Sequence, residues 1–296
     1  MTASSPDLFF SDIEQRTRMY TARSSVPDFE ASVREYTDLS IVARDECAAL
    51  LDLRYGMGAA ERLDIFLPVA SRRPAPVFIF LHGGYWRSQT KEDAPVMAPV
   101  FTRAGAAVVT VEYTLMPAAT MPELIREIRS AIAWVYHHAE QYGLDRDRIY
   151  VGGSSAGAHL AAMTAQAGWQ DGYRLPGDAV KGIVALSGLY DLRPFCDIDS
   201  NAWLRLQPQT AEDVSPCFHP PAAGMPIILS VGGLETDGFK NQTAAYQAVC
   251  EAAGAQVEHV AAAHANHFNL LCELAKADSP LTQATLRMMG LNRANG

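Results

Sequence analysis

Ile149-Tyr150-Val151-Gly152-Gly153-Ser154-Ser155-Ala156-Gly157-Ala158-His159-Leu160 is the stretch on which the reading of this chain turns. Its first three residues are β-branched or aromatic and predict a buried strand. Gly153 to Gly157 fits G-x-S-x-G, and an alanine-rich helical pattern runs from Ala156 to about Ala167. Strand, tight turn and helix are the setting in which that motif holds a serine hydroxyl out at the end of a strand. Ser155 is the expected nucleophile. A side chain at 153 or 157 is expected to collide with the neighbouring strand or helix where the chain doubles back. The new helix also turns its free N–H groups and positive dipole end toward the serine.

Working outward, apolar segments alternate with helical ones. Expected strands are Ala49–Arg54, Arg62–Leu67, Val77–Leu81, Ala106–Val111, the nucleophile strand, Val180–Leu186, Ile227–Val231 and Gln256–Val260. The first two read as an antiparallel hairpin, and the run at 77–81 is apolar throughout, as a strand buried on both faces should be. Helices are expected over about 91–103, 122–142, 240–253 and 281–289. This order predicts an eight-stranded, mostly parallel sheet with helices on both faces, an α/β fold whose working groups sit in loops at the carboxyl ends of the strands. Residues 189–224 lack periodicity and carry five prolines, so they read as a lid-like insert. Residues 1–45 read as an N-terminal arm, with a helix expected somewhere in 7–20 and no clear period over 29–45. The arm either packs on the domain or covers part of the pocket. The whole chain, 1–296, is expected to form one domain.

Composition narrows the partners. The net charge is −9 and no basic patch is visible, so neither nucleic acid nor an anionic membrane is an expected partner. No apolar run approaches the roughly 18 residues that span a bilayer. The five cysteines are scattered and odd in number, which argues against a disulfide framework or a zinc site and for a reducing compartment. With no apolar segment in the first 25 residues, a cytoplasmic protein acting on a small molecule is expected. A homo-oligomer is left open.

A serine hydroxyl needs a base within reach, and the base needs an orienting acid. His267, in the loop after the last strand, is the expected base, with His264 as competitor. His159 lies one helical turn beyond Ser155, on a helix crowded with alanine. Glu235 and Asp237 share the loop after the strand ending near Val231, and either carboxylate suits the third role. Acyl transfer also builds charge on a carbonyl oxygen, which preorganised N–H donors stabilise. His82-Gly83-Gly84-Tyr85-Trp86 follows a buried strand, and the amides of Gly84 and Tyr85, joined by that of Ala156, are the expected oxyanion donors.

These motifs resemble the α/β-hydrolase superfamily, and within it the kynurenine formamidase (arylformamidase) branch that neighbours the hormone-sensitive-lipase-like esterases. The resemblance rests on His82–Trp86, Gly153–Leu160, Ser187-Gly188-Leu189-Tyr190-Asp191-Leu192 and His267-Phe268, and extends from about Tyr55 to Leu291. The lipase-like esterases usually have a third glycine where this chain has Tyr85. The formamidase pattern places the acid four residues before a phenylalanine and seven before a glutamine. Phe239 and Gln242 fit that frame and select Glu235, where eukaryotic formamidases usually carry aspartate. The esterase pattern counts back from Tyr246 to Asp237. The resemblance implies a serine hydrolase for small, aromatic formamides, amides or esters, without metal or organic cofactor. General carboxylesterase, arylamidase and carbamate hydrolase activities stay open, and a binding module on the same scaffold is the remote alternative. Tyr85 and Trp86 are expected to wall the substrate pocket, and Trp203, with Phe195 and Leu204, to close it from the insert.

Overall fold

A computed structural model describes residues 6–69 and 74–291 of the chain; the first five residues of the arm lie outside it. The sheet has eight strands in the order β1-β2-β4-β3-β5-β6-β7-β8. They are β1 (Ala49–Arg54), β2 (Arg62–Phe66), β3 (Ala75–Leu81), β4 (Ala107–Val111), β5 (Leu144–Ser154), β6 (Val180–Leu186), β7 (Pro226–Ser230) and β8 (Gln256–His259). β1 and β2 run antiparallel, β2 pairs antiparallel with β4, and every pair from β4 to β8 is parallel. This is the α/β-hydrolase fold. In register, Ser154 pairs with Leu186 and Leu186 with Ser230, so the ends of β5, β6 and β7 stand level at one edge.

Alternation along the central strands divides the core. Val77, Ile79, Leu81, Val109, Val151 and Ile183 face one layer, with α4 (Met121–Tyr142), α5 (Ala156–Ala162) and α8 (Asp237–Ala252) packed over it. Phe78, Phe80, Val108, Val184 and Ile228 face the other, covered by α2 (Phe29–Glu46), α3 (Ala98–Arg103) and α9 (Pro280–Met288). That two-residue period is what a strand covered on both sides imposes.

Several helices differ from the expected spans for identifiable reasons. α2 is an 18-residue helix where no period was expected, opened by Asp28, whose carboxylate accepts the Ala31 N–H. Its buried positions are Tyr36, Ser40 and Ala43, a helical stripe with little hydrophobic signal. The segment 91–103 is a 3₁₀ turn, Lys91–Asp93, followed by α3, because Pro95 and Pro99 interrupt a continuous helix. α1 (Ile13–Met19) starts only after Asp12, which caps it through the Gln15 N–H. α5 stops at Ala162, short of Ala167. Within the insert, short turns flank α6 (Asn201–Leu204) and α7 (Pro208–Asp213).

The outer edge of the sheet is bent. Leu50 pairs with Ile65 and Leu53 with Leu63, so two residues of β1 oppose one of β2. Asp52 takes a left-handed φ of 57° there, and its N–H is bound by Asp64 Oδ1 at 2.7 Å. No helix among the described residues is long and apolar enough to cross a membrane.

Candidate active site

The turn after β5 is fixed by sterics. Ser155 has φ 55° and ψ −115°, a strained conformation for a residue with a side chain. Glycine is required on both sides of it. A Cβ on Gly157 would stand 2.0 Å from the Leu81 carbonyl oxygen, and one on Gly153 would stand 2.3 Å from the Gly157 carbonyl. The turn therefore lies against the end of β3 as closely as backbone permits, and the Ser155 N–H ties it to Leu186 O at 2.8 Å.

The ends of β7 and β8 bring two further side chains to the same edge. Glu235 is buried in the loop before α8, and its Oε2 accepts the His267 Nδ1–H at 2.6 Å. Its Oε1 accepts the Gly232 N–H at 2.6 Å and the Ser187 hydroxyl at 2.5 Å. Three donors thus satisfy a carboxylate with almost no solvent contact. Phe239 packs its ring 4.3 Å from the His267 imidazole. Gln242 accepts the Tyr190 and Asp191 amides, anchoring the β6 loop that carries Ser187. Asp237 is exposed in the first turn of α8, and His264 pairs instead with Glu273 at 3.1 Å.

On the opposite side, the loop after β3 turns through three left-handed residues: Gly84 (φ 86°), Tyr85 (φ 56°) and Trp86 (φ 55°). A Cβ on Gly84 would meet Ser88 O at 2.0 Å. Among the described residues, the amides of Gly84, Tyr85 and Ala156 donate to no other group. Stacked on Tyr113 at 4.2 Å, the His82 ring supports this loop from beneath. The Tyr113 hydroxyl donates to the carbonyls of His82 and Gly83.

Ser155, His267, Gly84 and Tyr85 line one cavity of about 300 Å³. Phe29, Phe80, Trp203 and Phe268 give it an aromatic wall. Trp86 is a correction to the expected pocket wall. The left-handed turn carries it beneath the loop, where it is fully buried, off the cavity and edge-on to His159 at 5.1 Å. Phe195 and Leu204 are core residues behind Trp203 and do not line the space. His159 is likewise buried, with Nε2 donating to Val214 O at 2.7 Å, and burial pushes its pKa down to about 4.

Three parts of the site were not given a role by sequence reasoning. Ser187 holds the outer oxygen of Glu235. Tyr20, Thr21, Ala22 and Arg23 of the arm, with Tyr36 of α2, form the cavity wall facing the sheet edge. Gln89 donates to the Tyr36 hydroxyl from beside them. The only signal for the arm was the open choice between packing and covering.

This sheet order, with a serine on a strained turn after its central parallel strand, defines an α/β-hydrolase. The chain belongs to the BD-FAE family, whose model matches residues 63–215, and is a hydrolase of the formamidase/esterase kind. It is similar to a kynurenine formamidase of Salmo salar, 32% identical over 254 residues covering 84% of each chain. A kynurenine formamidase of Danio rerio is 30% identical over 253 residues, with the same coverage. Among solved structures, a protein of Silicibacter sp. TM1040 superposes with a TM-score of 0.76 at 26% identity, covering 89% of this chain and 96% of its own. The esterase of Pyrobaculum calidifontis superposes at 0.70 with 18% identity, covering 88% of this chain and 92% of its own, a likeness of fold.

Proposed function

We propose that the chain is a serine hydrolase that cleaves small aromatic formamides, amides or esters through an acyl-enzyme on Ser155. The observation that carries this is the buried Glu235–His267 pair at 2.6 Å, with the imidazole opening onto the cavity that Ser155 also lines. In this reading Glu235 accepts the Nδ1–H, which fixes the tautomer and leaves Nε2 as the base. Nε2 takes the Ser155 proton as Oγ attacks the carbonyl carbon. The oxyanion is received by the amides of Gly84, Tyr85 and Ala156, aided by the amino end of α5. As the intermediate collapses, His267 returns the proton to the departing amine or alcohol. Water then repeats the cycle and frees the acid.

The names of the relatives support formamides as substrates, and the aromatic wall supports a flat group beside the scissile bond. Ser155→Ala is expected to fold like the parent and to lose turnover by about 10³-fold or more. A fluorophosphonate probe should label Ser155 in the parent and nothing in the variant. Retained turnover, or labelling at another residue, defeats the reading.

A further inference from the structure

The terminal turn of α1 raises a question of accounting. A helix leaves its last four carbonyls without partners inside the helix, and each needs one from elsewhere when buried. At this end, Arg16 O receives the Tyr20 N–H, Arg18 O the Thr21 N–H, and Thr17 O the Thr21 hydroxyl. The carbonyls of Met19 and Tyr20 remain. They are taken by two hydroxyls from two separate loops. Thr236 Oγ1–H donates to Met19 O, and the Tyr85 phenol donates to Tyr20 O at 2.7 Å.

The donors matter because of where they stand. Tyr85 lies in the left-handed loop that lines the cavity beside Ser155. Thr236 immediately follows Glu235, the carboxylate bound to His267. Two adjacent peptide units therefore tie the loop of N–H donors to the loop of the acid. The approach is as close as backbone allows, since a Cβ on Gly238 would stand 2.4 Å from Met19 O. Further ties hold the segment in place. Asn241 Nδ2–H donates to Asp7 O at 2.8 Å, Arg16 pairs with Asp197 of the insert at 2.5 Å, and Tyr20 packs on Phe195 at 4.6 Å. The arm segment itself lies upstream of residue 63, where the family match begins.

We propose that the Met19–Tyr20 turn is a positioning element of the catalytic assembly, a clamp that sets the oxyanion loop and the acid loop in register with each other. The proposal rests on the serine-hydrolase reading above. A clamp of this kind acts on transition-state geometry, so its loss lowers kcat while leaving KM nearly unchanged. Because one turn serves both loops, releasing either hydroxyl loosens the same element, and the effects of the two releases are not independent.

The test is a double-mutant cycle of Tyr85→Phe and Thr236→Val, with Thr236→Ser as the variant that keeps the hydroxyl. kcat and KM are measured on p-nitrophenyl acetate, with thermal midpoints alongside. Each single variant is expected to lose about ten-fold in kcat, with KM within about three-fold. The double variant is expected to lose about ten- to twenty-fold, and Thr236→Ser to stay within about two-fold of the parent. Single variants with parental kcat, or losses that multiply to about a hundred-fold, overturn the clamp. Should Tyr85→Phe fail to fold, the Thr236 pair decides: a kcat loss that serine restores supports the clamp, and one that it does not restore overturns it. Fluorophosphonate labelling separates the two readings. Parent protein that does not label at Ser155 defeats the serine-hydrolase reading, whereas normal labelling with unaffected variants defeats only the clamp.

Discussion

The Ser155 turn and the Met19–Tyr20 turn reach the same cavity by opposite means. At 153–157 the backbone is its own constraint: a Cβ on Gly153 would stand 2.3 Å from the Gly157 carbonyl, and one on Gly157 would stand 2.0 Å from the Leu81 carbonyl at the end of β3. At 19–20 nothing local dictates the position. The turn stays where it is because hydroxyls on two distant loops complete its carbonyls. The first is rigid as soon as the sheet forms. The second exists only once three separate segments have docked, and a side chain pressed against it meets a turn held by side chains rather than by a sheet.

The sharpest way to probe this contrast starts where the two regions touch. Glu235→Gln keeps the shape of the acid but removes the charge that holds the imidazole, and is expected to lower kcat by about 10³- to 10⁴-fold. Asp237→Asn, two residues on and exposed, should stay within about two-fold of the parent. Equal losses in the two variants would mean that the buried contact does not orient the base. Next in size is a pair of glycine substitutions followed by urea unfolding. Gly157→Ala is expected to cost at least about 3 kcal/mol, because the facing Leu81 carbonyl belongs to a central strand. Gly238→Ala meets the Met19 carbonyl at a similar distance, yet should cost less, about 1 kcal/mol, because that turn is held by side-chain hydroxyls and not by a sheet. The contrast breaks if the order is reversed.

A pH dependence is expected from the helix that leaves the Ser155 turn. His159 is neutral in its buried site, with its pKa pushed down to about 4 by burial, against about 6.5 in an unfolded chain. A depressed value means that the unfolded chain takes up the proton first. The stability this group contributes is therefore complete above about pH 6.5 and is lost as pH falls toward about 4, by up to about 3 kcal/mol. His159→Gln, which keeps a donor for Val214 O, should flatten that limb in urea titrations at stepped pH. An unchanged slope would show that other groups govern it.

How much of this was legible in the residues follows the same divide. The eight strands and the strained turn at Ser155 were readable, because alternation and glycine placement are local and steric. Which carboxylate meets His267 was not readable from the loop alone, because Glu235 and Asp237 are two residues apart. What separates them is the start of α8 at Asp237, which sends that side chain to solvent; the expected start at 240 hid the distinction. Trp86 was misplaced because neighbours in sequence were taken as neighbours in the pocket, and the left-handed turn at 85–86 rotates them apart. The arm was illegible for a different reason. Its contribution lies in main-chain carbonyls and in a helix stripe of Tyr36, Ser40 and Ala43, neither of which leaves a hydrophobic period.

The kink in β1 has a consequence beyond the site. An edge strand with Leu50 and Leu51 turned outward offers a row of open peptide groups on which a foreign strand can grow. The extra residue at the bulge breaks that row midway, and Asp64 has already claimed the Asp52 amide. That margin is thereby made a poor template for a foreign strand while Leu50 and Leu51 stay in place.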